Sequence, residues 1–123
     1  MADILLLVAA ALLAVTAILH SVIGERRLIG PILARRDGIL ASPLARAVLR
    51  FAWHITSATW VVLALILVQL TQDPATARAW AAAATGIAFT AIGVVDAMAT
   101  RGRHMGWPFL TGIGLAALAS LAA

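Results

Sequence analysis

Four long apolar stretches, separated by short polar breaks, limit what this chain can fold into more than any other feature. They cover about residues 4–23, 46–70, 77–100 and 104–122. A helix needs about 20 mostly apolar residues to cross a hydrocarbon core of ~30 Å. The stretches are too long for strands and their polarity does not alternate. The sequence therefore predicts an all-α membrane protein, a four-transmembrane-helix bundle formed by one domain over residues 1–123.

The composition agrees with this class and excludes several kinds of chemistry. Hydrophobic residues make up 63% of the chain and charged residues 11%, whereas soluble domains are about a quarter charged. The absence of cysteine and lysine excludes disulfides, thiolate metal sites and Schiff bases. We expect the first stretch to be a true span rather than a cleaved signal peptide, because no positive charge precedes it.

The arginines predict the orientation in the membrane. Arg78 is the one arginine in the second connection, and the other eight lie in or beside the first and third connections. Those eight are Arg26, Arg27, Arg35, Arg36, Arg46, Arg50, Arg101 and Arg103. By the positive-inside rule their side is cytoplasmic. We therefore expect a multi-pass protein of the bacterial inner (plasma) membrane with both termini on the periplasmic side. The basic charge then meets anionic lipids rather than nucleic acid.

Small residues predict how the helices pack. Gly86 and Gly93 lie seven residues apart on the third span, and Gly112 and Ala116 lie four apart on the fourth. Small residues mark contact faces between helices in lipid. These faces fit packing within one bundle, a homo-oligomer or a larger membrane complex. The short connection over residues 101–103 requires the last two helices to form an antiparallel hairpin.

Polar and ionisable residues, which are energetically unfavourable inside a membrane, cluster at the predicted cytoplasmic ends of the spans. His20 precedes Glu25 by five residues, and His54 follows Arg50 by four. At ~1.5 Å of rise per residue both histidines lie about one turn below the charged surface, and Asp96 lies at a similar depth. Ionisable groups at such depths usually face a partner inside the bundle. The predicted ligand-binding residues are Glu25, Arg46, Arg50, Asp96 and Arg103.

One interpretation of these carboxylates is a network of ion pairs that ties the helix ends together. Asp96 then pairs with Arg50 or Arg103. Glu25 has Arg26, Arg46 or Arg50 as candidate partners. His104 is expected to cap the lipid–water boundary beside Arg103.

The histidines leave three possibilities open. His20 and His54 can be neutral, hydrogen-bonded residues, or they can be metal ligands, since imidazole binds divalent metals and haem iron. As ligands they could clamp a haem b. With Glu25 or Asp96 they could instead form a site of two histidines and one carboxylate for a divalent metal.

Three strings carry a resemblance to a known family. HSVIGERRLIGP, RFAWHITS and RGRHMGWP resemble those of a family of small, uncharacterised bacterial inner-membrane proteins with four helices. The resemblance implies a four-helix membrane fold in which the histidine–arginine cluster is the distinctive part. It implies no activity.

The leading functional hypothesis is a small ligand-binding or accessory membrane protein that binds a metal, haem or an anionic headgroup. The alternative is a transporter or channel, for which only Thr16, Thr59 and Thr90 could line the outer half. An enzyme using metal-activated water is a third possibility. The sequence contains neither a nucleophile elbow nor a Ser-His-Asp pattern, which counts against nucleophilic catalysis.

Overall fold

The fold is helical throughout the part of the chain that the structure, a computed structural model, describes. It describes residues 2–122, and 86% of these residues are helical. No strand occurs within those residues. The predicted all-α class is therefore confirmed.

The first helix changes its winding along its length. It is α-helical over Ala2–Ile18 (α1), π-helical over Leu19–Ile29, and α-helical again over Gly30–Ala34 (α2), without a break. π-Helices are rare, usually extend for a single turn, and are frequent at functional sites. Here the π-helical segment contains most of the first polar string. Pro31 lies two residues after the segment, where its ring would crowd the turn before it in an α-helix.

Three more helices follow. A short 3-10 turn over Gly38–Ala41 leads into α3 (Pro43–Gln72), and α4 covers Ala77–Thr100 and α5 covers Trp107–Ala119. Ser42 caps the start of α3 by accepting a hydrogen bond from the backbone N–H of Ala45 at 3.4 Å. A serine at this position satisfies one of the free N–H groups of the first turn.

Three helices are long and apolar enough to cross a membrane, and this suggests a membrane protein. They are the first helix, counted over Asp3–Ala34, together with α3 and α4. The 13 residues of α5 rise only about 20 Å, so α5 is an apolar helix that is not among the three spans, and the predicted fourth span is not confirmed. The helix is shorter than the predicted span at both ends, because residues 104–106 form a turn before α5 and residues 120–122 leave the helix after it.

The helices pack in the order α1 on α3, α3 on α4, and α4 on α5. The first and last helices share no interface of comparable extent among the described residues. The helices therefore form a row, called the helix row below. Neighbouring helices in it run antiparallel, because the chain reverses direction at each connection. The predicted hairpin of the last two helices is confirmed.

Glycines bring α4 and α5 close together. Gly86 and Gly93 are buried, and a Cβ built on Gly86 would lie 2.5 Å from the side chain of Leu118. A Cβ on Gly93 would overlap Thr111. The predicted face of α5 is wrong, because Gly112 meets nothing within 4 Å and the buried glycine is Gly114. Spacings of four do not distinguish these two faces of an alanine- and glycine-rich helix.

The topology gathers the polar strings at one end of the row. This end, where α2 and α4 finish and α3 and α5 begin, is called the arginine-rich end below. It holds the first and third connections and hence eight of the nine arginines. The candidate site described next lies there.

Candidate functional site

A chain of four polar side chains links the π-helical segment to α3. Ser21 Oγ lies 3.0 Å from His54 Nδ1, and His54 Nε2 lies 3.3 Å from Glu25 Oε2. The other oxygen of the carboxylate, Glu25 Oε1, lies 2.9 Å from Arg50 Nη2. The structure thus brings together three predicted site residues and a serine that was not predicted.

One tautomer of a neutral His54 ring satisfies both of its hydrogen bonds. An ionised carboxylate only accepts hydrogen bonds, so Nε2–H of His54 donates to Glu25. In the neutral ring Nδ1 is then an acceptor, and the hydroxyl of Ser21 donates to it. The chain therefore runs from a hydroxyl through an imidazole to a carboxylate, and the carboxylate is held by an arginine.

These side chains are reachable from outside the protein. The exposed fraction is 28% for Glu25, 40% for His54 and 52% for Arg50. Ser21 is half-buried. A small molecule at the surface can thus approach the cluster without opening the helix row.

His20 lies in a different environment from His54. Its ring stacks on Trp53 with centroids 3.9 Å apart and planes 10° apart, and its edge meets Trp60. His20 Nε2–H donates to the carbonyl of Trp53 at 3.2 Å, and Trp53 Nε1–H donates to the carbonyl of His20 at 3.0 Å. His20 thus joins the first helix to α3 through packing and paired hydrogen bonds.

The predicted metal site finds no support in this arrangement. Both nitrogens of His54 and Nε2 of His20 are engaged with protein partners. Across residues 2–122 no three histidine, aspartate or glutamate side chains gather closely enough to hold a metal ion. His54 would have to release one of its two engaged nitrogens before it could ligate haem iron.

Asp96 has a partner that sequence reasoning did not foresee. Its carboxylate is fully buried, and Oδ2 accepts a hydrogen bond from His104 Nδ1 at 2.6 Å, while Oδ1 has no partner. The predicted pairing with Arg50 or Arg103 is wrong. The chain turns back after α4, where Arg101 adopts a left-handed φ of 53°, and this reversal brings His104 over the carboxylate.

Arginines line an open cavity beside the chain of polar residues. The cavity has a volume of about 380 Å³ and lies between the end of the first helix and the start of α3. Its charged lining consists of Arg36, Arg46 and Arg50. Arg46 is held in place by bonds from Nη1 to the carbonyls of Leu40 and Ala41, at 2.6 and 3.0 Å.

A more apolar groove adjoins this cavity deeper along α3. It has a volume of about 340 Å³ and is lined by Ala47, Arg50, Phe51, His54 and Ala99. Arg50 lines both spaces. The last predicted residue, Arg103, lines a third space near the end of α4 together with Arg101.

Two residues of the site escaped the sequence analysis. Ser21 shares a helix face with Glu25, which is visible in the sequence, but its contact with His54 depends on how two helices rotate against each other. Arg36 was expected as a topology signal and a contact for anionic lipids, not as part of the cluster, yet it lines the cavity and adopts a left-handed φ of 54°. Only a few per cent of non-glycine residues adopt that region.

Comparison with protein-family models, curated proteins and solved structures finds no match for this chain. The resemblance of the three strings to a bacterial membrane-protein family therefore stays a prediction.

Proposed function

We propose that this chain is an integral membrane protein that binds the anionic headgroup of a lipid at its arginine-rich end. This end faces the cytoplasm, and the membrane is the bacterial inner membrane. Three helices of sufficient length and hydropathy support insertion. The distribution of arginines supports the orientation.

The observation behind the proposal is that three arginines line one cavity. Arg36 and Arg46 have no carboxylate partner among residues 2–122, whereas Arg50 is paired with Glu25. The cavity thus holds an excess of positive charge. Guanidinium groups bind phosphate through pairs of parallel hydrogen bonds, so a lipid phosphate suits this lining better than a metal cation.

The position of the cavity favours a lipid over a soluble anion. A span of about 20 residues counted back from Gln72 ends near Trp53 and His54. Arg50 therefore lies about one turn outside the hydrocarbon, at the depth of lipid headgroups. Phe51 and Ala99, which line the adjoining groove, offer an apolar surface to an acyl chain.

A transporter would need threonines that line a path through the bundle, and two of the three candidates do not support this alternative. The hydroxyls of Thr16 and Thr59 bond to the carbonyls of Leu12 and Ile55 in their own helices, and both residues are exposed. They therefore face the surroundings of the helix row instead of lining a path through it. A binding function at the arginine-rich end requires no such path.

The test compares two arginines that share a backbone conformation. Arg36 and Arg101 both adopt left-handed φ values, 54° and 53°, and asparagine tolerates this region. Arg36→Asn removes an arginine from the cavity, and Arg101→Asn removes the same charge elsewhere at the same end. Native mass spectrometry of the protein in nanodiscs would measure binding of phosphatidylglycerol and phosphatidylcholine.

We expect wild-type protein to prefer phosphatidylglycerol. A general surface charge is worth ~1 kcal/mol, or about fivefold in affinity, so Arg101→Asn should cost no more than that. Arg36→Asn also removes hydrogen bonds to a charged group, worth about 1.5–3 kcal/mol, and should weaken binding about tenfold or more. Equal effects of the two substitutions, or no preference for phosphatidylglycerol, would refute a headgroup site.

A further inference from the structure

We propose that Ser21, His54 and Glu25 form a catalytic site that hydrolyses a carboxylic ester of a membrane amphiphile. Ser21 is the nucleophile, His54 is the general base, and Glu25 is a positioning residue. The substrate class rests on the proposed headgroup site, because that site would hold a lipid whose ester lies at the depth of the serine. The nucleophile itself is inferred independently, from the hydrogen-bonded chain.

The geometry matches the requirements of an activated serine. A nucleophile must lie within hydrogen-bond reach of its base, and a third group must orient the base. Ser21 Oγ lies 3.0 Å from His54 Nδ1, and His54 Nε2 lies 3.3 Å from Glu25 Oε2. Such sites are recognised by geometry and roles rather than by sequence order. Here the base uses Nδ1 toward the serine and Nε2 toward the carboxylate.

The winding of the first helix coincides with this chain. Ser21 and Glu25 both belong to the π-helical segment Leu19–Ile29. π-Helical turns occur frequently at functional sites. Arg50 completes the arrangement, because its contact with Glu25 at 2.9 Å keeps the carboxylate turned toward α3.

The depth of the serine indicates the substrate. About 20 residues counted forward from Ile4 end near Ile23, so Ser21 lies at the boundary between hydrocarbon and headgroups. Ester carbonyls of acyl lipids lie at this boundary. The cavity of Arg36 and Arg46 lies closer to the aqueous side, and the groove lined by His54 lies deeper. Ser21 itself lines neither space. A lipid with its phosphate in the cavity would have its ester at about the membrane depth of the serine.

The reaction would proceed in two balanced steps. Ser21 Oγ attacks the ester carbonyl carbon, and its proton passes to His54 Nδ1. The bond from the carbonyl carbon to the alcohol oxygen then breaks, and the alcohol leaves with that proton. Water next attacks the acyl-serine and gives a proton to His54 Nδ1. The bond to Ser21 Oγ breaks, the oxygen recovers the proton, and the carboxylic acid leaves.

The test uses an alkyl fluorophosphonate on the full-length protein in vesicles. Serine oxygen bonds to phosphorus, the phosphorus–fluorine bond breaks, fluoride leaves, and the serine proton passes to His54. Peptide mass spectrometry would locate the adduct and measure its rate of formation. We expect the adduct on Ser21, none in Ser21→Ala, and a rate at least about a hundredfold lower in His54→Gln, since a general base contributes about 10²–10⁴.

Ser57, about one turn after His54 on α3, offers a matched control. Ser57 is buried and its hydroxyl has no hydrogen-bond partner, so Ser57→Ala should leave the labelling rate unchanged. Glu25→Gln still accepts a hydrogen bond from His54 but loses the charge. It should slow labelling while the melting temperature stays close to that of wild type, which a purely structural role of Glu25 would not produce.

Turnover is the second measurement. Wild-type vesicles containing para-nitrophenyl decanoate should release nitrophenol faster than vesicles with Ser21→Ala. Wild-type protein that binds phosphatidylglycerol but labels Ser21 no faster than the exposed Ser42 would overturn the nucleophile and leave the headgroup site standing. Labelled Ser21 without a preference for phosphatidylglycerol would overturn the headgroup site alone. Labelling without turnover of the ester would refute the hydrolase.

Discussion

Replacing Gly24 with alanine tests how closely the first helix must approach α3. A Cβ built on Gly24 would lie 2.5 Å from Trp53 Cζ2 and 3.1 Å from Trp53 Nε1. The indole has little freedom to withdraw, because it stacks on His20 and donates to the carbonyl of His20. The added methyl group must therefore displace the ring or separate the helices.

The expected loss of stability combines three effects. Overpacking a filled contact costs typically 1–3 kcal/mol. The hydrogen bond from Trp53 Nε1 to the carbonyl of His20 contributes about 1 kcal/mol. Alanine recovers about 1 kcal/mol through its higher helix propensity. Gly24→Ala should thus lower the free energy of unfolding by about 1–3 kcal/mol. The shifted indole also moves the adjacent His54, so labelling of Ser21 should slow.

Unfolding in mixed dodecyl maltoside and dodecyl sulfate micelles, followed by tryptophan fluorescence, would measure this change. Gly112→Ala is the matched control, since a Cβ there meets nothing within 4 Å and should leave stability equal or raise it by up to about 1 kcal/mol. If Gly24→Ala proves as stable as Gly112→Ala, the close contact between Gly24 and Trp53 does not exist as described.

Two further predictions concern α4 and use the same unfolding assay. His104→Ala should destabilise the protein by about 1–3 kcal/mol, because the fully buried carboxylate of Asp96 loses its donor. Adding Asp96→Ala should recover part of that loss, and a double variant no more stable than the single one would contradict the pairing. Gly93→Ala should also cost about 1–3 kcal/mol, because its Cβ meets the backbone nitrogen of Thr111, which cannot rotate away. A neutral effect would contradict the close packing of α4 and α5.

The helices can be predicted from the sequence wherever local signals mark their ends. The third apolar stretch is predicted over residues 77–100, and α4 covers Ala77–Thr100. The first stretch is predicted to stop at Ile23, yet the helix continues to Ala34. Hydropathy marks where a helix leaves the hydrocarbon, but arginine and glutamate are good helix formers, so the helix itself does not end there.

The sequence predicts at which membrane depth the residues of the candidate site lie, but not which of them form pairs. The spacing of charged and apolar residues places Glu25, Arg50 and His54 together, and the structure confirms Arg50 among the three arginines expected as partners of Glu25. Sequence cannot give the rotation of one helix against its neighbour. The contact of Ser21 with His54, and the separate stacking of His20, depend on that rotation.

The π-helical segment explains why the sequence does not predict the rotation of the first helix against α3. Predicted helix faces assume an α-helical period of 3.6 residues, but a π-helix bonds residue i to residue i+5. The eleven residues Leu19–Ile29 therefore turn Ser21 and Glu25 relative to the faces of α1 that an α-helical count assigns. The contacts in this segment are the bonds of His20, Ser21 and Glu25 to α3. The contacts of Ser21 and Glu25 thus belong both to the site and to the packing of this segment, so substitutions at the site should also alter the local helix geometry.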